Sequence, residues 1–304
     1  MGAGDDRVTR AAFLVGAALA GGNAVAVRFS NRELDPLWAA GVRFALAAAI
    51  FLCIVAALKI TLPRGRALAG AVLFGLVQFA ATFALVYYAF LELHAGFGQI
   101  IFALVPLLTV LLAAAQGEER LRLVSLVGAT LALAGVALMS STSLHESLPL
   151  LSVLAALGSA LCFAESAILV RVLPPVHPVA MNAVGMTAGA AALLAGGVVA
   201  GESFVLPEGS ATWAASVYLV TLGSVGVFFL YLFVLGRWTA SRAAYAFLLS
   251  PIASISLSAW LDDEPVGPGL VVGGLLVLAG VYVGALRAPA PPAQPEVGVA
   301  RGRW

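Results

Sequence analysis

The chain has 304 residues, 62% of them hydrophobic and 10% charged, with a formal net charge of +1 and a mean hydropathy of +1.05. Soluble domains carry about 25% charged residues, so a water-soluble fold could not cover this much apolar surface, and near-neutral charge with scattered cations excludes a nucleic-acid-binding surface. The few charges divide the chain into apolar windows of about 20 residues, the length a helix needs to cross the hydrocarbon core.

Ten such windows are predicted. The first, 10–29, carries Asn23 and lacks a small-residue cleavage site, so it reads as a span rather than a signal peptide. Window 36–58 follows Asp35-Pro36 and contains Arg43, and window 67–90 contains Gln78. Window 95–116 opens on Gly96, Gly98 and Gln99 and holds Pro106. Window 122–141 spaces Gly128 and Ala132 for close helix packing. Glu165 lies in window 149–171, and window 178–200 follows His177-Pro178. Window 212–235 aligns Thr221, Ser224, Phe228 and Tyr231, and window 241–261 places Ser250, Ser254 and Ser258 on one face beside Pro251. The last window, 267–286, has Gly280 and Gly284 at packing distance. Most connections are under ten residues, which leaves no room for a soluble catalytic domain.

Phe102 to Leu138 aligns without a gap onto Phe247 to Val283, 145 positions later, with Pro106 on Pro251, Glu119 on Glu264, Gly128 on Gly273 and Leu133-Ala134-Gly135-Val136 on Leu278-Ala279-Gly280-Val281. The second half repeats the first. Of the 16 Lys and Arg residues, Arg7, Arg10, Lys59, Arg64, Arg66, Arg120, Arg122, Arg171, Arg237, Arg242, Arg287, Arg301 and Arg303 fall on the side of the N-terminus, whereas the opposite loops carry Arg28 and Arg32 among Glu92, Glu146, Glu202, Glu208, Asp262, Asp263 and Glu264. Positive loops stay in the cytoplasm, so both termini are expected there. Five helices per copy is odd, so the copies should enter from opposite sides. The expected fold is an all-α membrane protein with ten transmembrane helices as two inverted-topology repeats of five. Its parts are a cytoplasmic N-terminus 1–9, repeats 10–141 and 149–286, an external linker 142–148 and a disordered cytoplasmic tail 287–304.

The residues Gly22-Asn23-Ala24-Val25-Ala26-Val27-Arg28, Asp35-Pro36, Arg43-Phe44, Tyr88-Ala89, Pro106-Leu107, Glu118-Glu119-Arg120-Leu121, Gly128 and Gly135-Val136, with Pro251, Glu264, Gly273 and Gly280 in the second copy, resemble the drug/metabolite transporter superfamily and within it the EamA type of ten-helix transporter. His177-Pro178 replaces the Asp-Pro of the first copy. The resemblance implies a central cavity lined by helices 1, 3, 4, 6, 8 and 9, with helices 5 and 10 packed at one end as scaffold.

Two ionisable residues fall clearly inside spans, Arg43 and Glu165, where a charge costs about 2.5–3.5 kcal/mol on insertion scales. Arg43 either pairs with a substrate carboxylate or satisfies backbone carbonyls as a structural cation. Glu165 matches Asn23 by pseudo-symmetry and is expected to face it across the cavity; it either binds a cationic amine or a coupling proton, or pins helices through hydrogen bonds. The expected cavity residues are Asn23, Gln78, Gln99, Glu165, Ser224, Phe228, Tyr231, Ser250 and Ser254, although the serines and Phe228 suit plain packing equally well. Pro106 and Pro251 should kink helices 4 and 9, and Gly98 softens the external end of helix 4. Asn182 and His94 are secondary candidates.

Cys53 and Cys162 stand apart, and His94, His145 and His177 have no partner at zinc-binding spacing. There is no phosphate-binding loop, and Gly223-Ser224-Val225-Gly226 departs from the nucleophile-elbow spacing. No catalytic residue, metal or cofactor is expected. The expected function is plasma (inner) membrane transport of a small metabolite, an amino acid or related amphipathic compound, by alternating access and in the export direction, with possible proton coupling, as a monomer or homodimer. A non-transporting receptor using the same cavity is the alternative.

Overall fold

The computed structural model describes residues 3–117, 123–142, 149–235, 237–238 and 246–286. Glu119, Arg120, Arg122, Arg242, the linker residues 143–148 and the tail 287–304 lie outside them. Every regular element among the described residues is helical: α1 (Ala3–Ser30), α2 (Pro36–Ala57), α3 (Arg66–Ala89), α4 (Ala95–Ala115), α5 (Leu123–Thr142), α6 (Leu150–Val172), α7 (Pro178–Ala200), α8 (Ser210–Val234), α9 (Ala246–Leu261) and α10 (Pro268–Val281, extended by a π-helical turn Tyr282–Leu286). Among them α1 to α4 and α6 to α8 are long and apolar enough to cross a membrane, and α5, α9 and α10 are shorter apolar helices. α1 is already helical from Ala3, within the segment expected to precede the first span. Pro36, Pro178 and Pro268 stand in the first turns of α2, α7 and α10, where a missing N–H leaves no intrahelical bond unmade.

The two repeated prolines act differently. α4 is interrupted at Ala103–Leu104, between Ala95–Phe102 and Val105–Ala115, so Pro106 falls in the first turn of a restarted helix. α9 runs unbroken through Pro251. The symmetric pair of distortions lies elsewhere: α3 contains a π-turn at Leu76–Ala81 and α8 one at Thr221–Gly226, separated by the same 145 positions as the sequence repeat. A π-turn inserts a residue into the i→i−4 ladder, widens the helix and releases a carbonyl, and such turns recur at functional sites.

α2 packs along α7 and α5 along α10, while α1 contacts α8 and α9, and α6 contacts α3 and α4. Exchanging α1–α5 with α6–α10 maps this pattern onto itself. The α5–α10 contact depends on missing side chains, because a Cβ on Gly128 would stand 2.5 Å from the Gly280 carbonyl oxygen and from Gly284 Cα, and one on Gly135 would stand 2.5 Å from the Gly273 oxygen. Without water to drive association in lipid, such backbone approach supplies the van der Waals contact that holds helices together. Gly280→Leu is therefore expected to separate α5 from α10 and lower stability by about 1–3 kcal/mol, seen as a reduced thermal midpoint in detergent; an unchanged midpoint would contradict this packing.

Candidate functional site

One end of the bundle is fastened by carboxylates seated on helix N-termini. Glu202 accepts from the Leu37 and Trp38 amides at 3.0 and 2.7 Å, at the start of α2. Glu33 accepts from Glu208 N at 2.7 Å, from Gly209 N at 3.0 Å and from the Thr212 hydroxyl at 2.7 Å, at the start of α8. Glu264 accepts from Ala95 N at 3.0 Å, at the start of α4. The unsatisfied amides and positive dipole of a helix N-terminus favour an anion there. Glu264 also meets Arg28 Nε at 2.9 Å and His94 Nδ1 at 3.5 Å, while Arg28 and Arg32 both reach Asp262. The Gly209 amide, then the Thr212 hydroxyl and the Glu208 amide, hold the Glu33 carboxyl below its ordinary value. Burial pushes Glu264 up, but His94, the Ala95 amide, the Arg28 charge and Ser258 together outweigh it and hold its carboxyl below the ordinary value.

Deeper in the bundle, α1 and α2 converge on the α8 π-turn. Asn23 Nδ2 donates to the Gly223 carbonyl at 3.1 Å. Arg43 Nη2 donates to the same oxygen at 3.4 Å, and its Nε donates to Ser224 Oγ at 3.0 Å. Ser224 in turn donates to Leu219 O at 2.8 Å. Arg43 is only 4% exposed, lies 5.0 Å from the ring centroids of Phe44 and Phe83, and pairs with no carboxylate among the described residues. Asn23 Oδ1 lacks a hydrogen-bond partner, although an unmet buried polar group costs about 1–3 kcal/mol, and the fully buried Tyr87 presents its hydroxyl to the Arg43 side chain. The Gly223 carbonyl and the Ser224 hydroxyl thus satisfy part of the Arg43 guanidinium.

The α3 π-turn has a matching contact, Ser166 of α6 donating to Gln78 Oε1. Ser166, not Glu165, is the side chain that answers Asn23. Glu165 accepts from Gln116 Nε2 at 2.6 Å near the end of α4, so Asn23 and Glu165 have no partner in common. Gln99 donates to Ser250 at 3.0 Å, joining α4 to α9. Ser250, Ser254 and Ser258 are all buried; Gly21 of α1 closes against Ser250 O and Ser254 N, so the serine stripe also serves as a small-residue packing face. Ser254 Oγ has no partner, and the Ser258 hydroxyl lies within reach of both Ile255 O and the Glu264 carboxylate. Phe228 packs edge-on against Phe51 at 4.9 Å, whereas Tyr231 is 44% exposed. Gly98 sits where a side chain would strike the Phe90 ring, and Asn182 bonds its own helix at Pro178 O. Sequence reasoning missed Tyr87, Phe83 and Ser166; only the repeat offset, applied to Gly223 and Gln78, pointed towards the last of these.

Residues 10–141 and 150–285 each match the EamA-like transporter family. The chain belongs to that family. It is 27% identical over 274 residues to an uncharacterized transporter of Archaeoglobus fulgidus, covering 85% of this chain and 91% of that protein. It is 27% identical over 246 residues to the uncharacterized inner membrane transporter YedA of Escherichia coli K12, covering 78% of each. A probable amino-acid metabolite efflux pump of the same strain is 25% identical over 272 residues, covering 86% of this chain and 89% of the pump. One solved crystal structure shares the fold, with a TM-score of 0.65 at 21% identity over 91% of this chain and 97% of that one. This EamA protein is a membrane transporter, and its family and relatives point away from enzymes.

The clasp around Glu264 has a signed pH dependence. A carboxyl whose folded value is depressed contributes stability that is present above its unfolded value and is lost as pH falls through the folded one. Between pH 5 and pH 3 the thermal midpoint of the wild-type protein should therefore fall more steeply than that of Glu264→Gln; parallel curves would remove Glu264 from the clasp.

Proposed function

We propose that this EamA transporter moves an amino acid or related amphipathic metabolite out of the cell by alternating access. In this reading all ten helices α1 to α10 cross the plasma membrane, as two inverted repeats spanning 10–141 and 149–286 with both termini in the cytoplasm. The observation that carries it is the pair of π-turns 145 residues apart, each held by a polar side chain from the first helix of the opposite half: Asn23 to Gly223, and Ser166 to Gln78. Two equivalent soft points in pseudo-equivalent helices let one packing arrangement exchange with its mirror at little cost, which is the requirement for inward-open and outward-open states of similar energy. The name of the E. coli efflux pump supports the substrate class and the direction.

The substrate route passes the polar groups Asn23, Gln78, Gln99, Glu165, Ser224, Ser250 and Ser254, with Phe228 and Tyr231 contributing apolar surface. Gly98, Pro106 and Pro251 serve the gates, and the carboxylate clasp closes the external end. Glu165, half-buried and held by Gln116, carries the coupling proton.

Counterflow in proteoliposomes, with unlabelled amino acids inside and labelled ones outside, should give saturable entry of at least one member, and an imposed pH gradient should accelerate it. Glu165→Gln should retain exchange but lose the response to the gradient. Wild-type gradient response in that variant would end the coupling role, and absence of entry across a broad panel would end the carrier reading.

A further inference from the structure

Both repeats close their second helix with the same backbone cap, but with different residues. At the end of α7, Gly201 takes a φ of 74°, its N–H meets Val198 O at 3.2 Å, and the Glu202 N–H reaches back to Gly197 O at 2.9 Å. At the end of α2, Lys59 takes a φ of 53°, its N–H meets Ala56 O at 3.2 Å, and the Ile60 N–H reaches back to Val55 O at 2.9 Å. The offset between the caps is the one that sets Asp35-Pro36 against His177-Pro178. Glycine is the usual residue at this left-handed position because it has no Cβ. The cap therefore has no need of the chain's single lysine, which adds strain there. Lys59 borders a groove of about 660 Å³ between the end of α2 and the loop that leads to α3. Leu52, Val55 and Leu62 form its apolar wall, and Lys59, Thr61 and Arg64 its polar rim. Lys59 and Arg64 are exposed, and neither has an ion-pair partner among the described residues. The exposed face of α2 runs into the groove through Leu46, Ala49, Leu52 and Ala56, spaced at three and four residues. α2 has 22 residues, about 33 Å of helix against about 30 Å of hydrocarbon. Its first turn lies at the clasped end, so Lys59 and Arg64 stand at headgroup level on the other side of the membrane.

We propose that this groove binds one anionic phospholipid, with its phosphate between Lys59 and Arg64, the Thr61 hydroxyl as a further donor, and an acyl chain against Leu52, Val55 and Leu62. The two cations match the charge of the headgroup. The apolar wall selects a lipid over a soluble anion, because a free phosphate would leave Leu52 and Leu62 uncovered. Basic residues that only set topology need no groove and no particular backbone conformation, whereas Lys59 is held in a cap that glycine makes in the other repeat. A lipid seated here bridges α2 to the loop entering α3, the helix that carries a π-turn, and so steadies the connection beside a helix able to rearrange. The site depends on the membrane setting and not on which compound is carried.

The test follows the thermal midpoint of the purified full-length protein in detergent as phosphatidylglycerol, phosphatidylcholine or soluble glycerol phosphate is added. Phosphatidylglycerol should stabilise the wild-type protein at concentrations at least about fivefold below those needed for phosphatidylcholine, and glycerol phosphate should have no effect in the same range. Lys59→Gly should keep or raise the lipid-free midpoint, as Gly201 makes the same cap, yet weaken the response to phosphatidylglycerol at least about threefold. Arg64→Gln should weaken it to a similar degree, and Lys59→Arg should retain it. Arg66→Gln removes a neighbouring exposed cation that does not line the groove and should leave the response unchanged. Equal stabilisation by the two lipids overturns the proposal, as does equal stabilisation by glycerol phosphate; both outcomes are read on the wild-type protein and require no variant to fold. An equal loss in Arg66→Gln and Lys59→Gly overturns it as well, because binding would then follow the charge of the loop and not the groove.

Discussion

A polar group released inside a bilayer has to be met by protein, because lipid offers no hydrogen bond and each unmet group costs several kcal/mol. That constraint governs the π-turns of α3 and α8. Each opens the helix at a position where its own ladder fails, and each is met by a neighbouring helix: Asn23 and Arg43 reach the Gly223 carbonyl in one case, and Ser166 reaches the Gln78 side chain in the other. The side chains that answer are polar enough to satisfy a carbonyl or amide and small or stacked enough to remain among apolar neighbours. A charged arginine buried in α2 becomes intelligible on this ground. It supplies the α8 turn with hydrogens that lipid could not offer.

The same requirement is met differently at the end of the bundle that carries Arg28 and Glu264. Helices α2, α4 and α8 begin there, each exposing amides without intrahelical partners, and Glu202, Glu264 and Glu33 supply the acceptors from other segments of the chain. Each cap joins elements distant in sequence, so it orients two helices at once. Between the clasped end and the π-turns, cohesion comes from close backbone approach: α5 against α10 through Gly128, Gly135 and Gly280, and α1 against α9 through Gly21. Rigid contacts of this kind concentrate any rearrangement into the helices interrupted along their length, α3, α4 and α8.

The apolar windows, the 145-residue repeat, the family and the small-residue character of α5 and α10 are legible in the chain alone, because hydropathy and residue size are properties that need no partner. Asn23, Arg43, Gln78, Ser224 and Ser250 are legible in the same way, since a polar residue in an apolar window is conspicuous wherever it ends up pointing. How those residues associate is not. The proline pair promised matching kinks, but α9 absorbs Pro251 within a continuous helix while α4 restarts just before Pro106; a proline only removes a donor, and neighbouring packing decides whether the helix bends. Matching Asp35-Pro36 to His177-Pro178 sets Glu165 against Asn23, yet in the folded α6 it is Ser166, one position on, that reaches the α3 π-turn at Gln78, while Glu165 turns to Gln116. The π-turns, the carboxylate caps and the meeting of Arg43 and Asn23 on one carbonyl belong to the folded protein alone, because each depends on contacts between helices far apart in the chain, and local sequence carries no record of its distant partner.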